Sequence, residues 1–387
     1  MLFKTPNLPP VEKSVVERID KLRAALGRHV KGSQRWAGLL RRTTFARNLR
    51  GSNSIEGFHV TADDAIAAVE GQEPLKAQVQ LETWKAISGY RDALTYVMRL
   101  ADDPHFVHGA NLLRSLHYMM TQYDLRKNPG TWRPGIIYIR DDVSGEVVYE
   151  GPDVELVPEL VAELITWLEK GDLDTPAMVR AAMAHLNLVM IHPYSDGNGR
   201  MARCLQTLVL AREGILDPVF CSIEEYLGAN TPEYYRVLAE VGGGRWQPER
   251  DARPWIRFAL TGHYRQAATL LRRVRETQKM WDELEQLRTK HELPERTMCA
   301  LNDACQGYGV RNATYRGPAE VSEHTASRDF LALVDAGLLV PKGQKRGRYY
   351  VAGRVLRKIK ERVAEPGRIN DPFEDPTDAS ATAQPRL

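Results

Sequence analysis

The feature that most constrains this chain is a glycine-containing turn between two apolar segments. It lies in the run Ile191-His192-Pro193-Tyr194-Ser195-Asp196-Gly197-Asn198-Gly199-Arg200-Met201-Ala202-Arg203. The hydrophobic pattern predicts a helix over residues 176–190 and a second one over residues 201–213. The turn then lies at a helix start, where unpaired amides and the helix dipole favour an anion. Gly197 and Gly199 have no side chains, so their amides can line a concave anion site.

The side chains around this turn fit phosphate chemistry. Arg200 and Arg203 are three residues apart on a helix, so they share a face, and guanidinium groups suit phosphate oxygens. His192, with an ordinary pKa near ~6.5, can serve as a neutral base. Asp196 offers an oxygen ligand for Mg²⁺, which takes few carboxylates besides phosphate oxygens. A His-Pro pair or a Gly-Asn-Gly turn alone is usually structural, but their conjunction predicts a site that binds and attacks a polyphosphate.

These residues resemble the motif of the Fic family, H-x-F-x-[DE]-G-N-G-R-x-x-R, with Tyr194 in place of the usual Phe. That ring normally packs into the core, so the change costs little unless the hydroxyl lacks a partner. The resemblance implies transfer of AMP from ATP to a protein hydroxyl, with His192 as the base and Asp196 as the Mg²⁺ ligand. It implies that the nucleotide is held by Gly197, Asn198, Gly199, Arg200 and Arg203.

An earlier stretch, residues 51–57, matches the inhibitory motif of the same family, [ST]-x-x-x-E-[GN]. Ser52 and Glu56 occupy its fixed positions. The resemblance implies a salt bridge between Glu56 and Arg203, which would keep that arginine from the γ-phosphate of ATP. The same carboxylate could instead position a water that removes AMP from a modified target, and the sequence leaves both roles open. Without the family context, Glu56 would be an ordinary surface carboxylate.

A β-rich run precedes the motif. It consists of Ile136, Ile137, Tyr138 and Ile139, and a polar turn over residues 142–146 leads to a second run, residues 147–149. The pattern predicts a hairpin with a loop longer than two residues. Its position is similar to that of the Fic flap, which implies that a target backbone pairs with it and presents a hydroxyl to His192. A purely structural hairpin is the alternative.

Two tyrosines beyond the motif carry a further expectation. By resemblance, Tyr226 and Tyr234 lie beside the nucleotide base, although paired tyrosines on a helix more often belong to a core. Gly242 stands where some members of the family place an adenine-side Asn, so base selectivity is less secure than phosphate binding.

The C-terminal part has a different character. An amphipathic helix opens at residues 321–330, and two β-rich segments, residues 338–340 and 348–351, flank a basic turn. This order resembles a winged helix-turn-helix, which implies salt-dependent DNA phosphate contacts from Lys342, Lys345, Arg346 and Arg348. The alternative is that this C-terminal part binds another protein, or that it is attached to the enzyme without a binding role of its own.

The predicted fold class is mainly α, with a Fic-type helical core, a β-hairpin flap and a small C-terminal winged helix-turn-helix. The predicted divisions are an N-terminal helical region (1–108), the catalytic core (109–265), a linker helix (266–291), a winged-helix-like domain (292–360) and a disordered tail (361–387). A net charge of +3 is too mild to imply a nucleic-acid partner by itself. The four cysteines form no CxxC pair or disulfide-like framework, which fits a reducing cytoplasm, and no run of membrane length or signal segment is evident.

Together these features predict an autoinhibited protein adenylyltransferase that uses ATP and Mg²⁺ and modifies a Ser, Thr or Tyr hydroxyl of a target protein, with pyrophosphate as the leaving group. One alternative is transfer of another phosphate-linked group, because the motif binds phosphates rather than the base. The other is a DNA-binding regulator that keeps the Fic core as a nucleotide sensor. Self-modification and a homodimer stay open.

Overall fold

The computed structural model describes residues 1–30, 35–74, 79–140, 144–214, 217–344 and 347–374. Within these ranges the chain forms sixteen α-helices and two antiparallel hairpins, which confirms the predicted mainly α fold. In chain order the elements are α1 (Pro10–Val30), α2 (Arg35–Ile55), α3 (Ala62–Val69), α4 (Leu81–Leu100), α5 (Ala110–Thr121), β1 (Tyr138–Arg140), β2 (Val147–Glu150), α6 (Val157–Lys170), α7 (Ala177–Ile191), α8 (Asn198–Arg212), α9 (Pro218–Cys221), α10 (Glu224–Ala229), α11 (Thr231–Gly242), α12 (Arg253–Lys290), α13 (Met298–Gln306), α14 (Asn312–Ala319), α15 (Glu323–Asp335), β3 (Leu339–Lys342), β4 (Tyr349–Ala352) and α16 (Arg354–Val363).

The centre of the larger core is the pair α7 and α8. Every residue of α7 from Met178 onward is buried, because this helix is apolar around most of its circumference, and nearly all of α8 is buried as well, its polar side chains included. The helix α12 crosses them, and its Trp255 donates a hydrogen bond from Nε1 to Ala182 O at 2.7 Å. The predicted start of the second helix at residue 201 is wrong by one turn, because Gly197 caps α8 with φ +78°.

The helix α2 approaches the core through two glycines. A Cβ on Gly51 would overlap the backbone of Glu224, and a Cβ on Gly228 would overlap the backbone of Gly51. The two helices α2 and α10 therefore cross in direct backbone contact, which any larger residue would prevent. This crossing brings the C-terminal end of α2, which precedes Glu56, to the start of α8.

The hairpin of β1 and β2 carries the predicted flap. Tyr138 pairs with Glu150 and Ile139 with Tyr149, and a bulge follows between Ile139 and Arg140. The predicted strand began too early, because Ile136 and Ile137 precede β1 rather than belonging to it. The buried Tyr149 fixes the hairpin to the core, since its hydroxyl donates to Met190 O at 2.8 Å. Part of the predicted turn, residues 141–143, lies outside the described residues.

The predicted boundary between core and linker helix, at residues 265 and 266, is wrong. The helix α12 runs without interruption for 38 residues, and its C-terminal part belongs to a second hydrophobic core. That core is shared with α13, α14, α15, β3, β4 and α16, which we call the C-terminal module (residues 292–363). The helix after Ser322 and both predicted strands are present, and β4 also bridges to Val310. The winged helix-turn-helix assignment stays a prediction.

The predicted tail boundary at residue 361 is also wrong, because α16 continues to Val363. The next residues return to the larger core: Glu365 pairs with Arg275 and Lys279 at 2.8 Å, and Arg257 lies 4.5 Å from the ring of Phe373. The remaining tail residues, 375–387, lie outside the described part. In the ranges that the structure describes, no helix combines the length and hydropathy needed to cross a membrane.

Candidate active site

The predicted anion-binding turn is held in shape by its own side chains. His192 ends α7 in the left-handed region (φ 51°, ψ 58°), which turns the chain sharply away from the helix. The side chain of Asn198 then closes the loop, because Oδ1 accepts from Tyr194 N at 2.9 Å and Nδ2 donates to Tyr194 O at 2.8 Å. Both polar atoms of the Asn198 side chain therefore make hydrogen bonds within the loop itself.

The imidazole of His192 is arranged as a neutral base. Its Nδ1 lies 3.1 Å from Val189 O, and a carbonyl can only accept, so Nδ1 carries the proton and Nε2 keeps its lone pair. Burial, with a smaller contribution from the charge of nearby Arg133, lowers the pKa of His192 to about 4. The ring is therefore uncharged at neutral pH, and the side chain is only partly buried, so a proton donor can approach it.

Arg200 is the least expected feature of the site. Its side chain is fully buried, yet none of its three guanidinium nitrogens finds a hydrogen-bond acceptor among the described residues. A buried charge without a partner is costly, so such a group indicates a position that an anion fills. The guanidinium carbon lies 5.2 Å from the centroid of the Phe58 ring.

Arg203 has the partner that the inhibitory motif predicts. Its Nη2 lies 2.7 Å from Glu56 Oε1, and its Nε donates to Ser52 Oγ at 2.7 Å. Nη1 has no acceptor in the described part of the chain. A Cβ on Gly199 would overlap Glu56 Oε1, so this glycine lets the carboxylate rest on the first turn of α8. Glu56 thus occupies the end of the helix where an anion is favoured.

Asp196 has a cation beside it that the sequence did not single out. Lys127 Nζ lies 3.0 Å from Asp196 Oδ2 and donates to Tyr123 Oη at 2.9 Å. Burial alone would raise the pKa of Asp196, but Arg200 and Lys127 more than offset this and lower it. Lys127 follows α5 in a short turn, far from the motif in sequence, so no local pattern could have indicated it.

Two further residues support the loop. His117 donates from Nε2 to Asp196 O at 2.9 Å and accepts from Gly130 N at Nδ1, also at 2.9 Å. Its ring stacks on Tyr194 at 3.8 Å, and the Tyr194 hydroxyl is buried without a partner in the described ranges. Arg133 donates from Nε to His192 O and from its amide to Pro193 O, both at 2.9 Å. These hydrogen bonds hold the segment before the hairpin against His192 and Pro193.

The tyrosines predicted beside the nucleotide base are placed differently from each other. Tyr234 is 1% exposed, and its hydroxyl lies 3.0 Å from His185 Nε2, so it is a core residue behind Arg203. Tyr226 packs against Phe258 of α12. A role of these rings at the base stays a prediction, and the burial of Tyr234 counts against it. Tyr235, which the sequence reasoning missed, is 48% exposed and donates to Ile55 O at 3.2 Å, beside Glu56.

The hairpin presents apolar side chains to solvent near this loop. Ile136 is 57% exposed and Tyr138 47%, whereas Ile139 is partly buried against the core. An exposed hairpin edge with apolar side chains suits pairing with an extended peptide. Over the described residues, no group of three or more His, Cys, Asp or Glu side chains is arranged to hold a metal ion by itself.

Comparison with known proteins assigns this loop to a family. A family model described as Fic/DOC matches residues 108–210. The chain contains a Fic domain. The matched residues include the hairpin, α7, all but the last two residues of α8, and all of the loop residues between the two helices.

Named relatives share this Fic domain. Protein adenylyltransferase fic-1 of Caenorhabditis briggsae is 38% identical over 118 residues, which are 29% of this chain and 20% of that protein. Protein adenylyltransferase Fic of Nematostella vectensis is 26% identical over 254 residues, 65% of this chain and 55% of that protein. The match therefore spans between a fifth and about half of these relatives.

Solved structures show the same fold. A crystal structure of a Fic family protein from Desulfovibrio desulfuricans G20 aligns with a TM-score of 0.57 at 21% identity, over 90% of this chain and 98% of that one. The structure of Fic-1 from C. elegans, residues 134–508, aligns with a TM-score of 0.55 at 21% identity, over 67% of this chain and 72% of that one. Because the first alignment covers most of this chain, the similarity extends beyond the Fic domain itself.

Proposed function

We propose that this chain is a protein adenylyltransferase that transfers AMP from ATP to a hydroxyl of a target protein. The observation that carries the proposal is the fully buried Arg200, without an acceptor among the described residues, beside a glycine-capped helix start and a neutral histidine. The names of the relatives that share the Fic domain support the choice of nucleotidyl transfer over other phosphate chemistry.

In the proposed reaction, Nε2 of His192 takes the proton from the target hydroxyl as its oxygen attacks the α-phosphorus of ATP. The bond to the β-phosphate oxygen breaks and pyrophosphate leaves. The amides at the start of α8 and the guanidinium of Arg200 stabilise the charge on the phosphates. Arg203 binds the terminal phosphate once Glu56 has released it. The exposed edge of the hairpin holds the target backbone, which brings the hydroxyl to His192.

Asp196 fits a role in holding Mg²⁺. It is a single, partly exposed carboxylate beside the anion site, whose Oδ2 pairs with Lys127 and whose Oδ1 accepts from Gly197 N. Mg²⁺ typically binds one or two carboxylates and completes its shell with phosphate oxygens and water, so one carboxylate suffices. The ion would supply charge neutralisation on the phosphates of the bound nucleotide.

Glu56 acts as an inhibitor of this reaction. Arg203 cannot pair with the Glu56 carboxylate and with the terminal phosphate of ATP at once. While the ion pair at 2.7 Å persists, ATP therefore cannot bind with its α-phosphorus in line with the attacking hydroxyl. The same carboxylate could orient a water that removes AMP from a modified target. The experiment below separates transfer from removal, because it starts from unmodified protein.

The test uses the Glu56→Gly variant of the full chain, incubated with ATP labelled on either the α- or the γ-phosphate. We expect protein-bound label only from α-labelled ATP, and intact-protein mass spectrometry should show addition of AMP, because such enzymes often modify themselves. The control is the variant with both Glu56→Gly and His192→Ala, which should stay unlabelled. Label from γ-labelled ATP would identify a phosphoryl transferase and refute the proposal.

A DNA-binding regulator is the second candidate. Lys342 and Arg348 are exposed on β3 and beside β4, where they could reach a phosphate backbone, whereas Lys345 and Arg346 lie outside the described residues. Binding of the full chain to duplex DNA should weaken steeply as salt rises if these side chains contact phosphates. A cytoplasmic location and a homodimer remain predictions from the sequence.

A further inference from the structure

Phe58 has no role in either sequence motif, yet its ring lies at the centre of the site. The guanidinium carbon of Arg200 is 5.2 Å from the ring centroid, and Nζ of Lys127 is 5.6 Å from it. The face of an aromatic ring attracts cations, most strongly where water is excluded. The Phe58 ring therefore lies within cation–ring distance of Arg200 and Lys127, two of the cations that border the anion site.

The state of Arg200 gives this contact its significance. The side chain is fully buried, and within the described residues its guanidinium makes no hydrogen bond to any acceptor. Besides the charge of nearby Asp196, the ring of Phe58 is thus a favourable partner that the structure provides for this guanidinium. A phosphate that approaches the guanidinium from the side of the ring must displace Phe58, since the ring and the anion cannot occupy that side together.

Phe58 and Glu56 also belong to the same hydrogen-bonded turn. The amides of both residues donate to the same acceptor, Asn53 O, at 3.1 and 3.0 Å. Gly57 lies between them with φ +79°, a conformation that glycine adopts without strain. The two side chains therefore project from one turn at the end of α2, one toward Arg203 and the other toward Arg200.

We propose that Phe58 is a positioning residue of the phosphate site, which covers Arg200 and withholds it from phosphate while Glu56 withholds Arg203. Each arginine of the motif then has its own competitor, one aromatic and one anionic, and both competitors belong to one turn. The proposal rests on the proposed function only in requiring that this site binds the phosphates of a nucleotide.

The test measures binding of inorganic tripolyphosphate by titration calorimetry, with the full chain in the Glu56→Gly background. Phe58→Leu keeps the bulk of the side chain but removes the ring face, and Phe58→Ala removes both. We expect affinity to rise from Phe to Leu to Ala, by about tenfold for Ala, the size of one desolvated cation–ring contact. The gain should vanish when Arg200 is also replaced by Met, because the two residues then no longer interact.

A matched control is Phe106→Leu, since Phe106 lies 4.8 Å beneath the guanidinium of Arg212, which donates to the carbonyls of Leu100, Ala101 and Asp103 outside the site. This change should leave tripolyphosphate affinity as it is. The proposal would be overturned if both Phe58 variants bound tripolyphosphate as tightly as the chain with Phe58, or more weakly. If Phe58→Ala does not fold, the affinity of Phe58→Leu alone decides between these outcomes. Failure of the Glu56→Gly chain to transfer AMP would refute the proposed function instead, without changing this result.

Discussion

Replacement of Glu56 should raise nucleotide affinity and lower the stability of the empty protein at the same time. The Arg203 side chain is fully buried and that of Glu56 is 19% exposed, so their ion pair at 2.7 Å is largely shielded from water. Removal of one partner of a buried pair costs about 3 kcal/mol, because the other charge is left uncompensated. Arg203 would keep its hydrogen bonds with Ser52, at 2.7 Å from Nε and 3.1 Å from Nη2, and the attraction of the buried Glu224 carboxyl group.

The same free energy should return when a phosphate takes the place of the carboxylate. A difference of about 3 kcal/mol corresponds to roughly 100-fold in affinity, which sets the expected gain in ATP binding for Glu56→Gly. ATP at about 100 times its Kd then adds roughly 2.7 kcal/mol to the free energy of unfolding. We therefore expect Glu56→Gly to melt below the wild type without nucleotide and to gain more from ATP than the wild type does.

The assay is thermal unfolding of the wild type, Glu56→Gly and Glu56→Gln, each with and without ATP. Gln keeps an oxygen that can accept from Arg203 but carries no charge, so it should fall between the other two. An unchanged melting temperature in Glu56→Gly, together with the same ATP-induced shift as the wild type, would show that the ion pair neither stabilises the chain nor competes with nucleotide.

Three further predictions concern single residues. His192→Ala should abolish AMP transfer in the Glu56→Gly background but leave ATP binding intact by calorimetry; with His192 present, transfer should stay level below pH ~6.5, the ordinary pKa of His, and decline only toward pH 4, because burial lowers its pKa to about 4. Tyr194→Phe should raise the free energy of unfolding in urea by about 1 kcal/mol, since it removes a buried hydroxyl without a described partner and keeps the ring; a loss of stability would mean that the hydroxyl is bonded. Asp303→Ala should lower that free energy by about 2 kcal/mol, because Asp303 and Arg42, each with a 10% exposed side chain, form an ion pair between α2 and the C-terminal module, while Arg42 keeps its second carboxylate partner, Glu70. Arg362→Gln is its control, because Arg362 is 66% exposed in its pair with Glu283, and this change should alter the free energy by less than about 0.5 kcal/mol.

Much of the site was predictable because its parts are local in sequence. Gly197, with φ +78°, begins α8 where the motif indicated an anion site, and Asn198 closes the loop through contacts four residues away. Glu56 and Arg203 are 147 residues apart, but two fixed motifs indicated their pairing. In each case the prediction depended on particular residue types at a fixed spacing in the sequence.

Other parts were not predictable, because they depend on which helices pack together. Lys127 and Phe58 are ordinary residues in their own segments and acquire a role only where α2, α5 and α8 meet. Arg133 likewise becomes important because its guanidinium reaches the carbonyl of His192, 59 residues later. The sequence also placed a boundary within α12, since helical periodicity does not tell where one hydrophobic core ends and the next begins.

The sequence by itself determined the helical fold class and the glycine-capped helix start, and it is the source of the proposal that His192 is the base, because these follow from local conformation and from the chemistry of neighbouring side chains. Only the tertiary structure decided that Arg200 is buried beside an aromatic ring and that Asp196 faces a lysine. It also decided that Tyr235, and neither Tyr226 nor Tyr234, donates to the carbonyl of Ile55 next to Glu56. The physical reason is that the desolvation and pairing of a charge depend on what other segments bring to it, and no spacing within one segment contains that information.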